Sequence, residues 1–142
     1  MADLSSLIRL HKYELDEKRR VLSVLYTEMA ELETRLEAMD DELQREKEAL
    51  TESGDVAFTF AGYAQRMKQQ RGALMEEILA AERRINDAKD DMMETFSELK
   101  KYEMTQEERD RIEEEQRAFQ ESLRMDEIAL ETFRRRVHEE DV

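Results

Sequence analysis

The sequence predicts an all-α protein, a long antiparallel two-helix coiled-coil hairpin with a longer second helix overhanging at the C-terminus. Three observations carry that expectation. Of 142 residues, 42% are Asp, Glu, Lys or Arg and none is proline, a composition of long helices rather than of a compact globule. An apolar residue returns every three or four positions through the first third of the chain. One stretch, SGDVAFTFAGYAQRM at 53–67, breaks this pattern and gathers Gly54, Gly62, Phe58, Phe60 and Tyr63.

The first helix is expected from about residue 3 to about residue 50. Steps of alternately three and four from Met1 land on Leu4, Ile8, His11, Leu15, Lys18, Leu22, Leu25, Met29, Leu32, Leu36, Met39, Leu43, Glu46 and Leu50. Only His11, Lys18 and Glu46 are not apolar. A repeat held in phase this long is a coiled-coil seam, and it rules out disorder for this segment despite the charge. Lys18 on the seam is unfavourable unless its ammonium reaches solvent or a partner.

The turn is expected at about 51–57, with Gly54 closing the first helix and Asp55 or Thr59 capping the next. The second helix is expected over about 58–138. Its seam runs Met67, Arg71, Leu74, Ile78, Ala81, Ile85, Ala88, Met92, Thr95, Leu99 and Tyr102. A third seam, Ile112, Gln116, Phe119, Leu123, Asp126, Leu130, Phe133 and Val137, lies one residue out of step with the second. The phase therefore breaks between about 102 and 112. If the chain reverses near residue 56, Leu4 lies opposite about residue 108, so the first helix runs out where the phase changes. The rest of the second helix keeps an apolar stripe that calls for a cover: a partner protein, a second copy or the chain folded back.

Charge and residue types exclude several functions. The net charge is −14, which disfavours nucleic acid, where Lys and Arg against phosphate supply the affinity. Residues 103–142 hold 14 acids and 7 bases, half of that net charge. No cysteine is present, so there is no disulfide framework and no thiolate chemistry. His11 and His138 are the only histidines and lack metal-ligand spacing. No phosphate-binding glycine loop or nucleophile triad is present, and a two-helix layer has no interior for a substrate pocket. The expectation is a non-enzyme without cofactor, metal or small-molecule substrate. The N-terminal MADLSSLIRL lacks signal-peptide character, and no run of about 18 apolar residues occurs, which predicts a cytoplasmic protein.

Two regions stand out as contact candidates. Phe58, Phe60 and Tyr63 either plug the end of the hairpin or present a docking patch. Gly62 and Gly72 each cost a helix about 1 kcal/mol against alanine, which points to close approach by something. The cations Lys18, Arg19 and Arg20 either form a solvated face with i,i+4 pairs such as Asp16–Arg20 and Glu14–Lys18 or meet a partner. The FRRR run at 133–136 suits a helix C-terminus, where cations complement the dipole.

The segments SLIRLHKYELDEKRR, AFTFAGYAQRM and ELKKYEMTQEERDR together resemble the FliJ family of flagellar export proteins, in its alphaproteobacterial form. The resemblance covers nearly the whole chain. It implies a two-helix stalk, similar to that of rotary ATP synthases, that sits in the hexameric flagellar export ATPase. It also implies contact with the export gate protein FlhA and with empty export chaperones, at the flagellar base on the inner membrane. By position, the gate-contacting surface would include Phe58, Phe60, Tyr63, Met67 and Arg71. The ring-entering end would include His11, Lys18, Arg19, Arg20, Phe119 and Leu123. The equivalent stalk of a virulence type III secretion system, a homodimerising structural coiled coil and a holdase chaperone acting through the hairpin tip are the alternatives. The stalk predicts a monomer at micromolar concentration, and the structural coiled coil predicts concentration-dependent assembly.

Overall fold

The computed structural model describes residues 3–53 and 57–141, and every side chain among them except those of 53 and 57–59. Two helices account for them, α1 over Ser5–Ser53 and α2 over Ala57–Glu140, and no strand occurs among the described residues. The capping roles expected of Gly54, Asp55 and Thr59 lie outside the described residues and side chains. The two helices pack against each other as a hairpin. Cross-helix pairs join Leu4 to Gln106, Lys18 to Asp91 and Asp40 to Arg71. A step up α1 is thus matched by a step down α2, which is antiparallel pairing. By contact the chain forms two compact units, one of His11–Ser97 and one of Met1–Leu10 with Glu98–Val142.

In the first unit the two seams meet. Met29, Leu74, Ile78, Ala81 and Ile85 form the buried cluster, with Leu22, Leu25, Leu32, Leu36 and Met39 of α1 packed around it. Ala81 is the most buried of them, 2% exposed, and its small side chain lets the backbones approach. Burial follows the 3.5-residue repeat because each seam side chain inserts between those of the facing helix, while its neighbours in sequence point to water.

Lys18 holds its seam position by pairing. Its ammonium lies 3.0 Å from Asp91 Oδ1 and donates to Thr95 Oγ1 at 2.6 Å. The Thr95 hydroxyl, buried in the same seam, donates in turn to the Asp91 carbonyl at 3.2 Å. A partly buried polar layer of this kind fixes register, because sliding the helices would strand a charge among leucines. Thr95→Val keeps the shape but removes the acceptor. It is expected to lower unfolding free energy by about 1 kcal/mol, read from urea unfolding followed by circular dichroism. An unchanged midpoint would show that the layer contributes no stability.

In the second unit, Asp3 organises the start of α1. Its carboxylate accepts from the Ser5 hydroxyl at 2.7 Å and the Ser5 amide at 3.1 Å. These bonds, the hydroxyl first, hold its pKa below the usual carboxylate range. The Leu4 amide donates to Gln106 Oε1 at 3.1 Å, so a side chain of α2 satisfies one of the donors that every helix start leaves open. Leu99 is buried at 4%, and Tyr102, Gln106 and Arg109 are half-buried. The second seam therefore continues in phase to Arg109, with polar residues at its last positions. From 111 to 141 every described residue is exposed. The third seam lies beyond the point on α2 that the start of α1 reaches, and its residues pack against none of the described residues of α1.

Candidate functional site

Three surfaces collect the residues singled out by the sequence. The first is the basic segment near the start of α1. His11 is half-buried, with Nδ1 3.5 Å from Glu14 Oε2. Lys18 is committed to Asp91 and Thr95, as above. Arg19 reaches Asp16 Oδ1 at 3.4 Å, and Arg20 pairs with Glu17. These i,i+3 pairs differ from the expected i,i+4 partners, since the guanidinium reaches back along one turn. Both arginine side chains remain largely in solvent, 59% and 72% exposed. Exposed pairs of this kind are worth little, so either arginine can exchange its partner for an external carboxylate.

The second surface is the early part of α2. Phe60 and Tyr63 are half-buried, their ring centroids 6.4 Å apart and tilted by 36°. Burial first, and then Glu42 and Glu46, raise the pKa of the Tyr63 phenol. Met67 is buried between the helices, 8% exposed. Arg71, although on the seam, turns outward and its Nε donates to Asp40 Oδ1 at 2.9 Å. The side chain of Phe58 lies outside the described ones. Among the described residues, and apart from the backbone of α2 itself, nothing lies within 4 Å of a Cβ built on Gly62 or Gly72, so the close approach expected at these glycines is not made by the described part of this chain.

A notch that the sequence did not reveal lies beside Met67. It has a volume of about 270 Å³ and an apolar floor that includes Met39, Leu43 and Ala64, with Lys47, Lys68 and Arg71 at its edge. Small-molecule sites run to roughly 300–1,000 Å³, so this notch suits one inserted side chain better than a metabolite. Its signal was hidden because it depends on which α2 residues fall opposite Met39 and Leu43.

The third surface is the tail of α2. Phe119 is 65% exposed and Leu123 is 49% exposed, on a face with Ile112, Leu130, Phe133 and Val137, all at 40% or more. Arginine–glutamate pairs one turn apart run along the same stretch of helix, Arg111 with Glu108 and Glu115, Arg117 with Glu114 and Glu121. The hydrogen bonds of these pairs hold Glu108 and Glu114 below the usual carboxylate range. They support a helix that has no packing to hold it. Monomeric proteins rarely leave so continuous an apolar face uncovered.

Among the described residues no group of His, Cys, Asp and Glu could hold a metal ion, and no helix is long and apolar enough to cross a membrane. The sequence profile of a family described as flagellar FliJ protein matches residues 1–138. Neither the curated proteins nor the solved structures yielded a match.

Proposed function

The chain belongs to the flagellar FliJ family, and on that premise we propose that it is a non-catalytic stalk and adaptor of the flagellar type III protein export apparatus. It inserts in the hexameric export ATPase and links it to the export gate protein FlhA, handling empty export chaperones as well. It works in the cytoplasm, peripherally attached to the inner membrane at the flagellar base. The family match favours the flagellar apparatus over a virulence secretion system. The segments SLIRLHKYELDEKRR and AFTFAGYAQRM support the alphaproteobacterial form.

The observation that carries this reading is the uncovered apolar face around Phe119 and Leu123. A stalk must be stiff, which two long helices without proline and packed along a common seam supply, and it must present a surface to the ring that its own fold does not consume. His11, Lys18, Arg19 and Arg20 are the other ring-facing candidates. Phe58, Phe60, Tyr63, Met67 and Arg71 are assigned to the gate. Of these, Met67 acts from beneath by shaping the notch, while Phe60, Tyr63 and Arg71 offer surface.

The test is the steady-state rate of the export ATPase with and without the chain. Stimulation is expected at micromolar concentration. Phe119→Ser with Leu123→Ser, both on exposed positions, should leave helicity unchanged and reduce the stimulation about tenfold or more, in line with hot-spot losses of about 2 kcal/mol. An active ATPase that ignores the native chain would overturn the reading.

A further inference from the structure

The tail of α2 repeats the spacing of the packed seam without a partner among the described residues. Its six apolar seam positions, from Ile112 to Val137, are 40–65% exposed, and two polar residues, Gln116 and Asp126, complete the repeat. We propose that this face binds the same face of a second copy of the chain, antiparallel, with Ile112 opposite Val137 of the second copy, Phe119 opposite Leu130 and Leu123 opposite Asp126.

Charge selects this pairing. In an antiparallel coiled coil, residues flanking the seam at one end of a helix meet the flanking residues at the other end of its partner. In this register Glu113 meets Arg134 of the second copy and Glu115 meets Arg136, and symmetry makes each contact twice. Among the described residues, Glu113, Arg134 and Arg136 enter no ion pair within their own helix, while Arg111, Arg117 and Arg135 do. The acidic run 113–115 and the basic run 134–136 thus complement each other across the interface. A parallel dimer would set each run beside its own copy and Asp126 against Asp126. Sliding the antiparallel pair by one heptad brings Glu127 of one copy against Glu113 or Glu127 of the other. The proposed register alone of these joins opposite charges at both ends.

Asp126 limits the strength of the interface. Lys18, at the equivalent position of the intramolecular seam, is tolerated because Asp91 and Thr95 receive it. Asp126 would have only the Ser122 hydroxyl of the second copy beside it, and the two Asp126 carboxylates approach near the two-fold axis. The dimer is therefore reversible, with the monomer dominant on dilution. The pairing is a property of the chain alone and does not rest on the export reading. Where both hold, Phe119 and Leu123 serve one partner at a time.

Sedimentation equilibrium of the full chain, from low micromolar to near-millimolar concentration, tests the proposal. A monomer–dimer equilibrium is expected. Arg134→Glu with Arg136→Glu should weaken it by about tenfold or more, and adding Glu113→Arg with Glu115→Arg to the same chain should restore it. Asp126→Leu should tighten it. All these positions are exposed, and circular dichroism of each variant confirms the fold. A native chain and an Asp126→Leu variant that both stay monomeric would overturn the proposal, as would a dimer indifferent to the charge reversal. Either result leaves the ATPase stimulation test untouched.

Discussion

Ile78→Asp is expected to unfold much of the hairpin. Ile78 sits 7% exposed in the cluster with Met29, Leu74, Ala81 and Ile85, facing α1 side chains that offer no partner for a charge. The substitution removes a buried aliphatic side chain and places a carboxylate among hydrocarbons, a combined cost of about 4 kcal/mol or more. Whole domains have only about 5–15 kcal/mol to lose. Urea unfolding followed by helicity should show the midpoint collapse. Ile128→Asp provides the contrast, because Ile128 is 52% exposed on the tail and should shift stability by no more than about 0.5 kcal/mol. Equal effects at the two positions would contradict the packing described above.

Gly62→Ala with Gly72→Ala is expected to act in the opposite direction. Both glycines lie inside α2, where each costs about 1 kcal/mol relative to alanine through lost backbone entropy. Among the described residues, nothing beyond the backbone of α2 itself lies within 4 Å of the added methyl group at either position. The double variant should therefore gain about 1.5 kcal/mol, visible as a raised thermal midpoint. A drop in midpoint would mean that the methyl groups meet something in the folded chain. A raised midpoint together with loss of gate binding would identify the glycines as the place where the partner backbone comes close.

Much of the fold was legible because a coiled-coil seam is written directly into the spacing of apolar residues. Leu4 to Leu43 alternate by threes and fours, and each of those positions is buried or half-buried in the structure. Glu46, the polar member near the turn, is exposed. The reversal expected near residue 56 set Leu4 opposite about residue 108, close to the observed Gln106, but spacing could not show the residue-by-residue register. The Gln106 cap on Leu4 and the Thr95 partner of Lys18 depend on that register, and no local pattern announces them. The change of phase after Tyr102 was visible, but its reason was geometric: Gln106 and Arg109 still face α1, and the positions beyond them have nothing to face.

The candidate site was legible as places rather than as contacts. Phe119 and Leu123 stood out as apolar residues on an acidic helix, and they are exposed. Arg71 read as a seam residue, yet its guanidinium is long enough to leave the interface and reach Asp40. The notch beside Met67 had no sequence signal at all, because its walls come from two segments far apart in the chain.

Amide hydrogen exchange of the chain, alone and with the hexameric export ATPase, tests the stalk reading most directly, at a concentration where the free chain is monomeric. A helix without tertiary packing opens readily, so residues 112–137 should exchange fast in the free chain while those around Ile78 exchange slowly. With the ATPase present, the stalk reading predicts marked slowing across 112–137 and little change around Ile78. Unaltered exchange over 112–137, with the ATPase active in the same mixture, would contradict it.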